Sequence, residues 1–212
     1  MKPSVYTDPV GTEASLSRLG LSLQAAQLER LERFESLLRR HAPLLGLVSE
    51  DDLPRIFERH ILDSLRAASE IAGGDICDLG SGAGLPGIPL AVALPHCSVV
   101  LCEAKRRRVA FLELAVEQLG LANAAVAPVR AEDLPERSAD ACTTRAFAPL
   151  EESWAAAWPV LRPGGRLVYF AGARLRDLAA RAAALDRPEP PVSVDVVRVL
   201  ANEAPLVIMA RR

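Results

Sequence analysis

Apolar positions along the chain change their period once, near residue 72. Before it they recur at helical spacing. Leu28, Leu31, Phe34 and Leu38 line one helix face, with Ser22 as the N-cap candidate. Phe57, Ile61 and Leu65 form the stripe of a second helix from about Pro54, which suits a first turn, to Glu70. His60 and Ser64 lie at the edge of that stripe. After Gly73-Gly74 short apolar runs alternate with helical patterns. Strands are predicted at Ile76 to Leu79, Ser98 to Cys102, Ala124 to Val129, Ala139 to Thr144 and Arg166 to Phe170. Helices are predicted up to Leu94, over Lys105 to Leu119 and Glu151 to Leu161, and near Leu175 to Leu185. Pro188 to Pro191 reads as a stiff connector, and Val192 to Leu200 with Pro205 to Ala210 as a terminal hairpin. Such alternation implies an α/β, Rossmann-like fold. It has a mostly parallel sheet covered on both faces, to which the hairpin adds an antiparallel strand. Residues 1–72 read as a helical extension packed on a domain formed by 73–212.

Composition narrows the class. The chain has 212 residues, half of them apolar and a quarter charged, which excludes disorder, collagen and coiled coil. Aromatics make up only 4%, against a broad base-stacking platform. With 25 basic and 27 acidic residues the net charge is −2. This excludes a global electrostatic grip on a polyanion and leaves room for a local patch. The basic set is lopsided, since 23 of the 25 are arginine. Cys77, Cys97, Cys102 and Cys142 form no close metal-type pair and read as reduced core thiols. The three histidines are dispersed, so no metal site is expected. Met1 to Glu13 lacks an apolar signal core, and no run approaches the ~20 apolar residues of a membrane span. A cytoplasmic monomer that binds no membrane is expected.

The most informative segment is Asp78-Leu79-Gly80-Ser81-Gly82-Ala83-Gly84-Leu85-Pro86-Gly87, between the first predicted strand and a helix. Glycines there let the backbone turn tightly and approach a ligand closely. Gly82, Gly84 and Gly87 satisfy the dinucleotide pattern, and Glu103 stands about where a ribose-binding acid belongs, so a nicotinamide-dinucleotide protein is a real competitor. Against it, Gly82 comes late after the strand, and the carboxylate of Asp78 disfavours a pyrophosphate. That carboxylate suits S-adenosylmethionine, which carries a sulfonium and an ammonium. Glu103 can accept bonds from both ribose hydroxyls. Arg130-Ala131-Glu132-Asp133 follows the third strand, where an adenine would lie. Ala131 gives close backbone access there. Glu132 either caps an amino group or is a solvated loop acid.

With these residues in hand, the chain resembles the bacterial 16S ribosomal RNA guanine-N7 methyltransferases, also called glucose-inhibited division protein B. The matching segments are Arg59-His60-Ile61-Leu62-Asp63-Ser64-Leu65, Asp78 to Pro89, Lys105-Arg106, Arg130-Ala131-Glu132 and Thr144-Arg145-Ala146-Phe147. The chain departs from the family pattern at His41 and Gly46, in a stretch usually holding asparagines, and at Ala171, usually a lysine. The resemblance implies a class I methyltransferase whose sheet has seven strands. It implies S-adenosylmethionine contacts at Gly80, Leu85, Ala131, Glu132 and Arg145, with Asp78 and Gly82 in the same loop and Glu103 at the ribose. Its substrate would be 16S ribosomal RNA or the small ribosomal subunit. A methyltransferase of the same fold acting on a small molecule or a protein is the alternative.

The residues also limit the chemistry. No Asn-Pro-Pro-Tyr motif follows the fourth strand, and no cysteine sits in a Pro-Cys nucleophile motif. A guanine N7 needs neither, because its lone pair is already free, and proximity can supply most of the rate. No general base is therefore assigned. Arg145 can hold a methionine carboxylate bidentately or pair with the RNA. His60, Asp63 and Ser64 share a helix face, where they either face substrate or interlock helix and sheet. Lys105 to Arg108, with Arg59 and Arg66, form the candidate phosphate patch, although four consecutive helical residues cannot all face one ligand.

Overall fold

The computed structural model describes residues 9–171, 178–185, 189, 191–197 and 204–212. Seven strands form one sheet: β1 (Asp75–Leu79), β2 (Ser98–Cys102), β3 (Ala124–Ala127), β4 (Ala139–Arg145), β5 (Leu161–Phe170), β6 (Ser193–Val197) and β7 (Leu206–Ala210). Their order is β3-β2-β1-β4-β5-β7-β6. The first five pair in parallel, and β7 lies antiparallel between β5 and β6. The terminal hairpin thus places its second strand inside and its first strand at the edge. β5 begins pairing at Leu161, five residues before the sequence expectation, across a bulge opposite Ala139 and Ala141. Strand order reverses between β1 and β4, so the glycine loop after β1 opens at the switch point, where such sheets bind ligands.

The helices are α1 (Pro9–Arg18), α2 (Ala25–Leu45), α3 (Asp63–Leu65), α4 (Gly87–Ala93), α5 (Arg106–Leu119), α6 (Leu150–Val160) and α7 (Leu178–Ala183). Leu31, Phe34 and Leu38 of α2 are fully buried, as their spacing requires, with Phe57, Ile61 and Leu65 in the same core. That core continues into Ile88, Leu101, Phe111, Val168 and Ile208, so the N-terminal helices share one face of the sheet with α4 and α5. Trp154, Leu167, Tyr169 and Met209 form the core of the other face, under α6. No helix among the described residues is long and apolar enough to cross a membrane.

Two helical expectations need correction. The N-cap of α2 is Gln24, not Ser22. Its N–H donates to Gln27 Oε1 at 2.9 Å, while Gln27 Nε2 donates to the Val92 carbonyl at 2.7 Å and ties the helix start to α4. The helix expected from Pro54 to Glu70 is instead a series of turns. A 3₁₀ turn (Glu50–Arg55), a π turn (Phe57–Leu62), α3 and a second 3₁₀ turn (Arg66–Glu70) follow one another. The apolar stripe is satisfied throughout, but tertiary bonds from Arg39 to the carbonyls of Leu53 and Pro54 compete with helical ones at its start. Gly46 ends α2 in the left-handed conformation (φ 58°), which glycine and asparagine both favour. The expected start of the helix near Leu175, part of the Pro188 to Pro191 connector and the end of the Val192 to Leu200 strand lie outside the described residues.

The carboxyl ends of β1 and β4 are joined through Asp78. Its Oδ1 accepts the Thr143 hydroxyl at 2.8 Å, and its Oδ2 accepts the Gly87 N–H at 3.2 Å. A side chain at Gly87 would strike Leu101 (2.3 Å) and Asp78 (2.7 Å), so only glycine lets the loop close over the carboxylate. Burial pushes the Asp78 carboxyl up to about 6, against the pull of these bonds. The folded chain then holds the Asp78 proton more tightly than the unfolded chain, whose carboxyl titrates near 3.9. Its contribution is therefore complete below about pH 4 and is lost as pH rises through about 6. Relative to Asp78→Asn, the unfolding free energy of the parent should fall by up to ~3 kcal/mol between pH 4 and 7. Denaturant titrations across that range check this; parallel pH profiles would contradict it.

Candidate functional site

Two adjoining chambers open at the switch point. The outer one, about 740 Å³, is lined by Gly80, Glu103, Lys105, Arg108, Ala131, Glu132 and Phe147, among others. The inner one, about 230 Å³, lies between the glycine loop and the N-terminal helical segment, against Leu47, Val48, His60, Leu85 and Arg145. Gly80, Arg108 and Ala146 border both.

Glu103 follows β2 and is 6% exposed. Its Oε1 accepts the Lys105 N–H at 2.8 Å and its Oε2 accepts the Gly82 N–H at 3.1 Å. Arg108 Nη1 stands 3.7 Å from Oε2. The carboxylate is thus anchored by backbone at the chamber wall, with lone pairs left over. Ala131 is buried in a short 3₁₀ turn after β3 and offers its backbone to the same chamber. Glu132 stands at the rim, largely exposed and 3.6 Å from Arg130. The chamber's size, its two-lone-pair acid and its close-approach backbone fit an adenosine.

Arg145 ends β4 and turns back against the N-terminal segment. Its Nη1 lies 3.2 Å from the His60 carbonyl, 3.2 Å from Asp63 Oδ2 and 3.3 Å from Ser64 Oγ. Its Nη2 bonds His60 Nδ1. A guanidinium only donates, so this ring nitrogen accepts and the imidazole proton is assigned to Nε2, 3.3 Å from Asp52 Oδ2. Burial and the Arg145 charge hold His60 below its ordinary value. Nε and the second Nη2 hydrogen of Arg145 make no bond among the described residues, and Arg145 borders the inner chamber.

Several expected contacts fall elsewhere. Asp78 is 1% exposed with both oxygens engaged under the loop, so it shapes the site rather than touching a ligand. Ser64 is fully buried and donates to the His60 carbonyl at 2.5 Å, which is the interlocking alternative and not a substrate contact. Arg66 is 2% exposed, bonded to Asp63 and the Ala204 carbonyl, and cannot meet a phosphate. Arg59 pairs with Asp52 at 2.8 Å and borders neither chamber, and Arg106 is exposed beside the cleft. All four cysteines are buried, and burial raises their thiol pKa values, Cys102 to about 11. Gly80, Gly82, Leu85, Lys105 and His60 do line the chambers.

Arg108, expected only in the phosphate patch, lies one turn after Lys105 and lines both chambers, while Leu47, Val48, Ala146 and Phe147 are wall residues to which the sequence assigned no role. Ala146 adopts a left-handed conformation (φ 52°) and lines both chambers, with Phe147 beside it over Gly80. A side chain at Gly80 would come within 2.4 Å of that ring. Nothing in the sequence signals the turn at Ala146, because alanine rarely takes that backbone.

The family model described as GidB, rRNA small subunit methyltransferase G, matches residues 27–189. The ribosomal RNA small subunit methyltransferase G of Methylococcus capsulatus is 39% identical over 163 residues, covering 76% of this chain and 80% of that protein. Its namesake from Thermobifida fusca is 38% identical over 193 residues, covering 90% and 79%. Among solved structures, M. jannaschii TYW2 in complex with AdoMet aligns with a TM-score of 0.56 at 14% identity, over 72% of this chain and 75% of that one. The tRNA (m1A58) methyltransferase TrmI of Aquifex aeolicus aligns at 0.54 and 15%, over 82% and 76%. These structural likenesses establish the class I methyltransferase fold.

The Arg145–His60 contact has a direct spectroscopic consequence. By heteronuclear NMR, His60 should titrate below the usual 6.5 with its neutral-state proton on Nε2. Arg145→Ala removes the charge that lowers it and should move the midpoint upward. An unchanged midpoint would show that Arg145 does not face the ring.

Proposed function

We infer, from a chain that belongs to the rRNA small subunit methyltransferase G family, that the cleft transfers a methyl group from S-adenosylmethionine to N7 of a guanine in 16S ribosomal RNA. The cofactor supplies an electrophilic methyl group on a sulfonium. The residues divide the work. Glu103 takes the ribose hydroxyls, Ala131 and Glu132 border the adenine, and Gly80, Gly82 and Leu85 let the methionine end pass the loop. The unbonded N–H groups of Arg145 suit a carboxylate at the inner chamber.

The observation that carries the reading is what borders the inner chamber. Its only titratable side chains among the described residues are His60, Arg108 and Arg145, and the lone pair of His60 Nδ1 is already given to Arg145. Among the described residues, no free base borders this chamber. An exocyclic amine would have to lose a proton there, whereas N7 attacks with a lone pair in the base plane. The N7–carbon bond forms as the carbon–sulfur bond breaks and its electron pair returns to sulfur. The positive charge passes to the purine and no proton leaves. An arginine donor at the adjacent O6 is compatible with N7 left free. The dinucleotide reading fares worse, since the ionisable Asp78 lies directly beneath the loop that would have to hold the pyrophosphate.

Small-subunit RNA carrying 7-deazaguanine at the target should accept no methyl group, while the guanine control is methylated under the same conditions. Transfer at the same rate to both would place the chemistry on another atom.

A further inference from the structure

The helices α2 and α5 run antiparallel. Arg33 Nη2 donates to the Gln118 carbonyl at 2.6 Å at one end, and the His41 and Phe111 rings stand 5.6 Å apart toward the other. Helical phase then fixes what lies along the seam. Arg33, Leu37, Arg40 and Leu44 follow at steps of four, three and four, on one stripe of α2. Arg107 is one turn before Phe111 on the stripe of α5 that meets it. The seam therefore ends on Arg40, Leu44 and Arg107, with Lys105 and Arg106 beside them.

This end borders the cleft. Lys105 and Arg108 line the outer chamber, and Leu47 and Val48, just past the end of α2, line the inner one. The cations differ from their neighbours in one respect. Arg39, Arg55, Arg59, Arg66 and Arg108 each face a carboxylate. Arg40, Arg106 and Arg107 are exposed and make no side-chain hydrogen bond or ion pair among the described residues. Leu44, 79% exposed, is the most exposed large apolar side chain among the described residues. The acids of α5, Glu113 and Glu117, fall on the stripe of Arg106 about 10 Å and more away from it, so they leave the charge at the cleft end unneutralised.

Resting on the methyltransferase reading above, we propose that this end of the α2–α5 seam is where the substrate RNA lands, its phosphates on Arg40 and Arg107 and an unstacked base or ribose on Leu44. A protein of net charge −2 needs such a local concentration of free cations to hold a polyanion. Cations already paired with carboxylates gain little from a phosphate. The seam thus replaces the Arg59 and Arg66 side as the phosphate track.

The test measures binding of a small-subunit RNA fragment at several salt concentrations, without turnover, together with S-adenosylmethionine affinity. Arg40→Ala and Arg107→Ala should each flatten the slope of log affinity against log salt by about 0.7–0.9, and the double variant by about twice that. Leu44→Ser should weaken RNA binding and leave the slope unchanged. Arg59→Ala should keep the parent slope. Cofactor affinity should be unchanged in all four single variants, which reports an intact fold. If Arg40→Ala and Arg107→Ala both keep the parent slope in an enzyme that still methylates, the seam is not the track and the methyltransferase reading stands. If the slopes fall as stated but no variant or parent methylates small-subunit RNA, the seam stands and the reading of the reaction fails.

Discussion

The buried carboxylate of Asp78 is the constraint on which the ligand end of the sheet depends. It sits at the point where strand order reverses, bonded to Thr143 of β4 and to the backbone of Gly87. Taking a carboxylate out of water is costly unless its lone pairs are satisfied. That cost is offset only when β1, β4 and the loop hold one arrangement. The loop then presents Gly80 and Gly82 to the chambers, and Gly82 in turn donates to Glu103. A charge that looks in the sequence like a ligand contact works as the peg beneath the ligand.

A second set of bonds closes the site from the N-terminal side. Arg145 joins the end of β4 to His60, Asp63 and Ser64, and Arg66 carries the same segment to the Ala204 carbonyl before β7. The N-terminal helices are therefore part of the inner chamber rather than an appendage. Leu47, Val48 and His60 supply one of its walls. The segments Arg59 to Leu65 and Thr144 to Phe147 thus combine two kinds of residue, those that border the cleft and those that hold its walls together.

The fold was legible in the sequence because it rests on periodicity and punctuation. The five parallel strands, the glycine loop and the amphipathic face of α5 announce themselves. The irregular turns from Glu50 to Glu70 did not, because helical spacing of Phe57, Ile61 and Leu65 is satisfied equally by an α-helix and by mixed turns. In the site, Glu103 and Ala131 were legible from their places after β2 and β3. Ser64 and Arg66 were not, since a polar side chain at a helix edge reads alike whether it faces solvent or a buried partner. Only tertiary packing shows Arg66 enclosed and Arg40 free.

The central claim is that this cleft places a methyl group on one guanine N7 of small-subunit RNA. It is tested most directly by treating small subunits from cells lacking the gene with the purified protein and S-adenosylmethionine, then mapping the RNA nucleosides by mass. The account predicts one guanine gaining a single methyl group at N7, absent without the protein. A methyl group on an exocyclic nitrogen, on another base or on ribosomal protein alone would contradict it.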